Sequence, residues 1–184
     1  LQWMVTASGR RAHALDNMGS NDSADMNRTT PNPQRDSNKA LLGKIVLTPG
    51  AGQRHVSTLE NIEKESDVQL LSSRTPRPFV GTPAQIAEAI VNEDSSRTSQ
   101  RDRLTWDARF ALNAAWADNV KTVIARQQAD SGQRGTSQGN TLPLRERDNS
   151  YAEKTWQAGI QADKARRSGA WAHKVTYGFD YVRS

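Results

Sequence analysis

Apolar and polar side chains alternate with a period of two along the C-terminal part of the chain. One parity holds Trp171, Val175, Tyr177, Phe179 and Tyr181. The other parity holds Ala172, Lys174, Thr176, Gly178 and Asp180. A period of two places the two sets on opposite faces of a β-strand. This segment is therefore predicted to form a strand with one apolar and one polar face.

The preceding segment repeats the pattern and predicts a hairpin. One parity holds Ala152, Trp156, Ala158, Ile160 and Ala162, and the other holds Tyr151, Glu153, Thr155, Gln157, Gln161 and Asp163. The short polar stretch Arg166-Arg167-Ser168-Gly169 separates the two runs. Two alternating runs joined by a short turn are typical of a β-hairpin.

Further strands are predicted earlier in the chain. The clearest one alternates over 104–112, and a short connection leads from it to a more ambiguous run at 120–124. Another alternates over 41–48 and turns at 49–52 into a weaker run over 55–63. The opening Leu1, Trp3, Val5 and Ala7 add one more strand. The pattern predicts about seven strands in total.

The connections between these runs differ systematically in length. Short ones (49–53, 113–119 and 165–170) alternate with long polar ones (9–39, 65–101 and 129–149). Outer-membrane barrels have short periplasmic turns on one rim and long extracellular loops on the other. We therefore expect an all-β fold: an antiparallel, up-and-down transmembrane β-barrel segment that occupies residues 1–184. Within the second long loop, Thr82 as N-cap and Pro83 at the first helical position predict one short helix through Val91.

Composition agrees with such a barrel and excludes several other classes. No stretch approaches the roughly 18–20 apolar residues of a membrane-spanning helix, whereas a barrel strand exposes only every second residue to lipid. The absence of cysteine excludes disulfides, thiolate metal sites and a cysteine nucleophile. The formal net charge of +5 is scattered along the chain. It favours contact with anionic groups such as lipopolysaccharide phosphates and does not indicate nucleic acid.

Neither enzymatic chemistry nor a targeting segment is indicated. The chain begins at Leu1 without a signal peptide, and both of its ends are expected to be cut from a longer protein. The sequence holds no HExxH, GxSxG or phosphate-cradling glycine loop. We therefore predict no enzymatic activity. The carboxylates within 17–22 lack the spacing of a calcium-binding loop.

Several segments resemble the first third of the barrel in TonB-dependent haem and haemoglobin receptors. They are LQWMVTASGRRAHALDNMGSND, NPQRDSNKALLGKIVLTPGAGQRH, AWADNVKTVIARQQADSGQRGT and AEKTWQAGIQADKARRSGAWAHKVTYGFDYVR. The most specific element is the GAWAHKVTYGFD strand after a short turn. The LLGKIVLTPGAGQRH hairpin ranks second in specificity. The resemblance touches most of the chain. Members of this family resemble a barrel of about 22 strands occluded by a plug.

The resemblance implies a multi-pass protein of the Gram-negative outer membrane that takes up haem or a haem protein. The inner-membrane TonB complex would supply energy from the proton gradient by pulling on the plug. Expected partners are a haem or haemoglobin-like ligand, the TonB complex, outer-membrane lipid and lipopolysaccharide. Haem is the expected transported ligand, and no covalently bound cofactor is implied. The family's plug, TonB box, FRAP and NPNL segments have no counterpart in these residues, so no haem-ligating position carries over.

Two groups of residues are candidates for functional contacts. His13, in the first long loop, is a candidate haem contact, because a neutral imidazole ligates iron; the alternative is a solvated loop histidine. His55 and His173 follow short turns and are placed on the opposite rim. Polar charged residues predicted to face the lumen are Lys44, Asp107, Arg109, Glu153, Asp163, Lys174 and Asp180. They would contact a plug or guide a substrate, or they would simply pair with one another in a polar interior.

Aromatic residues share the parity of the aliphatic ones, which favours anchoring at a membrane interface over ligand stacking. They are Trp3, Trp106, Trp156, Trp171, Tyr177 and Tyr181. Two other functions stay open at this point. One is a passive porin-like or structural outer-membrane barrel, and the other is a soluble all-β interaction domain whose apolar face packs on a second sheet.

Overall fold

The structure, a computed structural model, describes residues 1–15 and 19–184 and contains a single antiparallel sheet of seven strands. Asp16, Asn17 and Met18 lie outside the described residues, and with them part of the 17–22 stretch weighed for calcium. Consecutive strands are neighbours throughout, in the order β1 to β7. The strands are β1 (Gln2–His13), β2 (Gln34–Leu47), β3 (Gln53–Gln69), β4 (Ile90–Ala111), β5 (Asn119–Gly139), β6 (Arg145–Ser168) and β7 (Trp171–Arg183). The predicted all-β class, strand number and up-and-down order are confirmed.

The strands extend well beyond the alternating segments that predicted them. The connections are 14–33, 70–89 and 140–144 at one end of the sheet, which we call the long-loop end. They are 48–52, 112–118 and 169–170 at the other, the short-turn end. The predicted long loop over 129–149 is wrong, because most of it continues the β5–β6 ladder. The loops predicted over 9–39 and 65–101 are shorter for the same reason, since backbone pairing does not require apolar side chains.

The turn between β6 and β7 is also tighter than predicted. Arg166, Arg167 and Ser168 belong to β6 and pair with β7, so only Gly169 and Ala170 form the connection. Gly169 adopts a positive φ of 60°. Two-residue hairpin loops require such left-handed backbone, which glycine adopts without steric cost.

One short α-helix lies in the connection between β3 and β4. Helix α1 (Pro83–Glu88) begins at a capping box, in which the Thr82 Oγ1 accepts a hydrogen bond from Gln85 N and the Gln85 Oε1 accepts one from Thr82 N. The predicted N-terminus is confirmed, but the helix ends before the predicted Val91. Ile90 already belongs to β4 and exchanges hydrogen bonds with Thr75 at 2.8 and 3.0 Å. A 3-10 helix spans Leu71–Ser73 in the same connection.

Strand register sorts the side chains onto two faces. One row of laterally paired residues crosses every strand: Trp3, Ile45, Ser57, Trp106, Ile124, Ala158 and Tyr181. We call the face that holds this row the apolar face. The opposite face carries a row of Val46, Val56, Asp107, Val123, Gly159 and Asp180. We call it the charged face, after the residues described below.

Very little side-chain volume is buried within the sheet. The buried hydrophobic residues among those described are alanines and valines, including a small cluster of Ala117, Val120 and Ala162 against Phe110. Large apolar side chains of the apolar face are instead exposed, with Trp3 73% and Phe179 66% accessible. Among residues 1–15 and 19–184, no helix combines the length and apolarity needed to cross a membrane.

Candidate functional site

The charged face bears a hollow of about 630 Å³ near the short-turn end. Residues from six consecutive strands line it, from Lys44 on β2 to Asp180 on β7. Three basic side chains form a lateral row across it, because Arg54 pairs with Arg109 and Arg109 pairs with Lys121. Asp107 and Asp180 lie in the next row. The hollow therefore presents cations beside two carboxylates.

All seven charged residues predicted to face a lumen lie on this charged face. The strand pairing places these residues on the same side of the sheet as Val46 and Gly159. They are Lys44, Asp107, Arg109, Glu153, Asp163, Lys174 and Asp180. Whether the face lines a lumen stays a prediction. Arg54 and Lys121 belong to the same group and were not predicted, because their strands alternate weakly. A register derived from the short connection between β4 and β5 would place Lys121 opposite Arg109, whereas Arg54 meets Arg109 across the long connection 70–89.

The charges of this face differ in how they are satisfied. Glu153 accepts hydrogen bonds from Tyr151 Oη and Thr155 Oγ1, each at 3.1 Å. Asp163 accepts a bond of 3.0 Å from Asn119 Nδ2.

Several other charged residues of this face form no ion pair with a neighbouring side chain in the described ranges. Within the described ranges, no ion pair shorter than 4.0 Å involves Lys44, Arg54, Asp107, Arg109, Lys121, Lys174 or Asp180. In the described part of the chain, no ion pair joins two of the seven predicted residues. Such groups are available to bind water, an ion or a polar partner.

The connections at the long-loop end bind one another through hydrogen bonds. Asn32 and Ser72 form a reciprocal pair, since Asn32 Nδ2 donates to Ser72 Oγ at 2.9 Å and Ser72 N donates to Asn32 Oδ1 at 3.0 Å. Met26 N donates to Arg74 O at 2.9 Å. Thr141 N in turn donates to Ala87 O at 3.3 Å, which ties 140–144 to 70–89. The three connections thus form one continuous rim.

His13 lies beside this rim, where it contributes to a second hollow of about 690 Å³. It is the last residue of β1, not a loop residue as predicted, and it is exposed. Its side chain lies on the apolar face of the sheet, in one lateral row with Arg35 and Asp67. Arg28, from the connection 14–33, also lines the hollow.

The other two histidines lie near the short-turn end, as predicted. His55 is the third residue of β3, and His173 is the third residue of β7. The His55 ring stacks on Trp106 with a centroid distance of 5.8 Å and meets the edge of Phe110 at 5.4 Å. These contacts indicate a packing role for His55.

The connection 112–118 is fixed to the neighbouring hairpin by one ion pair. Lys164 Nζ donates to Asp118 Oδ1 at 2.6 Å and to Ala114 O at 2.8 Å, while Ala165 N donates to Asp118 Oδ2 at 2.8 Å. These bonds, with that from Lys164 the strongest influence, hold the pKa of Asp118 below its usual value. Tyr177 Oη donates to Trp116 O at 2.7 Å. The sequence indicated a turn here but not its anchor.

No group of three or more potential metal ligands occurs in the part of the chain that the structure describes. No protein-family model matches the chain, and no curated protein is significantly similar to it.

Proposed function

We propose that the chain is part of an outer-membrane β-barrel receptor of the TonB-dependent type, which takes up haem or a haem protein. The observation that carries the proposal is the separation of side chains onto two faces of one sheet. Apolar residues of this parity run from Leu104 on β4 to Leu112, the residue that follows the strand. This length is close to the roughly 9–11 residues with which a tilted strand crosses a bilayer.

Exposure of the large apolar side chains supports contact with lipid. Each one left in water forgoes about 1.5–3 kcal/mol of burial free energy, and Trp3, Val175 and Phe179 are each more than half exposed. A soluble sandwich would cover this face with a second sheet. All strands of the described ranges belong to one sheet. Hydrocarbon is the covering that fits an apolar face opposite a charged one.

The two ends of the sheet support the orientation. Connections 14–33 and 70–89 are long, hydrogen-bonded to one another and close to the hollow beside His13. We assign this end to the cell exterior and the short turns to the periplasm, following the pattern of outer-membrane barrels.

The hollow beside His13 supports a haem-like cargo. Haem offers an iron that imidazole ligates and two carboxylates that guanidinium groups bind in bidentate geometry. His13 and Arg35 line one cavity together with Arg28, whose guanidinium already donates to the backbone carbonyls of Asp22, Ser23 and Pro31. Coupling to the TonB complex and the proton gradient follows from the family resemblance. Uptake that continues after the gradient is dissipated would indicate a passive barrel instead.

A matched pair of substitutions tests the membrane assignment. Ile124 lies on the apolar face and Val123 on the charged face, and both are β-branched residues of β5. We expect Ile124→Arg to destabilise the membrane-inserted protein by about 1–2 kcal/mol, because a cation facing lipid costs roughly 2–4 kcal/mol at the midplane and less toward the headgroups. Val123→Arg should cost much less, because its side chain would face water.

The measurement is reversible unfolding of the protein from phospholipid vesicles in urea or guanidinium. Equal destabilisation by both substitutions would contradict the proposal that the two faces of the sheet meet different environments, lipid and water. Failure of the complete barrel, with strands paired to both edges of this sheet, to insert would contradict the membrane role itself.

A second pair of substitutions tests the cargo. Titration with hemin should produce a shifted Soret band in the unaltered protein, and His13→Ala should weaken binding at least tenfold. His173→Ala is the control, since His173 is an exposed strand histidine at the opposite end. The same hemin affinity in all three proteins would exclude His13 as a haem ligand.

A further inference from the structure

Three basic residues surround one tryptophan on the apolar face. Arg126, Trp156 and Arg183 are direct lateral neighbours on β5, β6 and β7. Lys154 precedes Trp156 by two residues, so it projects from the same face of β6. With strands about 4.8 Å apart, the two arginine Cα atoms lie about 10 Å from each other. We call Arg126, Lys154, Trp156 and Arg183 the cationic cluster.

The cluster lies at the boundary between apolar and polar rows. The adjacent row toward the short-turn end holds Ile124, Ala158 and Tyr181. The adjacent row toward the long-loop end holds Asn61, Asp102 and Gln128. If hydrocarbon covers the apolar face, this boundary is at the depth of lipid headgroups, where tryptophan is enriched.

The basic side chains are not engaged by neighbouring acids. In the described ranges, no ion pair involves Arg126, Lys154 or Arg183. The Arg126 guanidinium instead lies 5.4 Å from the centroid of the Trp156 ring, which orients it by a cation–π contact. Trp156 itself is 49% exposed.

One carboxylate stands diagonal to Arg126 and is already satisfied. Asp102 accepts hydrogen bonds from Asn61 Nδ2 at 2.7 Å and from Gln100 Nε2 at 3.1 Å. It neighbours Gln128, two residues beyond Arg126. A second carboxylate, Asp130, is diagonal to Lys154 and accepts a hydrogen bond of 2.9 Å from Gln128 Nε2. Neither carboxylate forms an ion pair with the cluster in the described ranges, and the three cations leave a net positive charge for a ligand from outside.

We infer that the cationic cluster binds the phosphate groups of an anionic membrane lipid. Guanidinium and ammonium groups are the usual partners of phosphate, and the exposed indole packs against the lipid's apolar part. The inference rests on the proposed membrane role. It assigns the bound lipid to the outer surface of β5–β7, at the boundary of the apolar rows that faces the long-loop end, where the arginines fix the position of the headgroup.

The test compares two triple variants that remove the same charge from opposite faces of the sheet. The first is Arg126→Gln, Lys154→Gln and Arg183→Gln. The control is Arg97→Gln, Arg101→Gln and Arg103→Gln on the charged face, where Arg103 is laterally paired with Gln127, next to Arg126. Each protein is placed in phosphatidylcholine nanodiscs and titrated with fluorescent bis-phosphorylated lipid A.

Removal of the cluster should weaken lipid binding about 100-fold, because each cation near a membrane surface contributes roughly fivefold in affinity. The control variant should bind like the unaltered protein. Equal affinity of the cluster variant and the unaltered protein, with all three inserted, would overturn the inference and leave the membrane role intact. If inorganic phosphate displaced lipid A when both were present at the same concentration, the claim that the ligand is a lipid would be overturned. Failure of the complete barrel, with strands paired to both edges of this sheet, to insert would end both proposals.

Discussion

Asp118 determines how the connection 112–118 is held against the β6–β7 hairpin. Its carboxylate accepts from Lys164 Nζ at 2.6 Å and from Ala165 N at 2.8 Å. Both bonds favour the ionised form and lower the pKa of Asp118 from its usual 3.8. The same bonds therefore contribute to stability only while the carboxylate is charged.

Acidification should release this anchor. A lowered folded-state pKa means that the contribution is complete above about pH 4, the unfolded value, and is lost as pH falls through the folded pKa. We expect the protection of the Ala165 amide against hydrogen exchange to fall in that acidic window. Asp118→Asn should reduce protection at neutral pH and remove most of the acidic decrease.

Asp107→Asn is the control for that experiment, since no ion pair shorter than 4.0 Å involves Asp107 among the described residues. Unchanged Ala165 protection in Asp118→Asn would show that the ion pair does not anchor the connection.

Gly52 is the glycine that the connection 48–52 requires. It has a φ of 80°, and a Cβ placed there would lie 2.9 Å from the Ala111 Cβ. We expect Gly52→Ala to destabilise the protein by about 1–2 kcal/mol or more, the cost of left-handed backbone in an L-residue. Gly50→Ala is the matched control, because its Cβ would meet nothing within 4 Å. Equal unfolding midpoints for the two variants would contradict this interpretation.

At the scale of elements, the connections at the long-loop end act as a unit. Asn32→Ala removes both hydrogen bonds to Ser72, each of which contributes about 0.5–1.5 kcal/mol. We expect faster hydrogen exchange at the Ser72 amide and earlier proteolysis within 14–33. Asn140→Ala, in the connection 140–144, removes a side chain with no such bond in the described ranges and should leave both unchanged.

The alternation of side chains predicts the middle of each strand and not its long-loop end. Over 104–112 and 171–181 one face is apolar, so the period is visible in the sequence. Between Gly132 and Gly139 both faces of β5 carry small or polar residues, and the strand is held by pairing with β4 and β6. Such pairing depends on partners distant in sequence. A polar stretch in a ladder and a polar loop therefore look the same in the sequence.

The sequence predicts the candidate site only in part, as it does the strands. Parity alone places Asp107 and Arg109 on one face of β4. It does not show that Arg54, Arg109 and Lys121 form one lateral row, because that depends on the register across two connections. His13 was placed in a loop because the end of β1 lacks an apolar face to mark it.

At the scale of the whole molecule, the sheet has two unlike faces and two edges. In the described ranges β1 and β7 each pair with one neighbour, so their outer edges carry backbone groups without a strand partner. A membrane does not tolerate unpaired backbone polar groups. The membrane role therefore requires further strands to pair with both edges and bring the charged face around an aqueous interior.

A single-cysteine scan along β4 tests this two-sided environment most directly. The chain has no native cysteine, so a label attaches only at the introduced position. Nitroxide labels at 104–110 in vesicles are assayed for collision with oxygen, which concentrates in lipid, and with a water-soluble nickel chelate. The account predicts oxygen access at Leu104, Trp106 and Phe110 and nickel access at Thr105, Asp107 and Arg109. Uniform access to nickel along the strand, without a period of two, would contradict it.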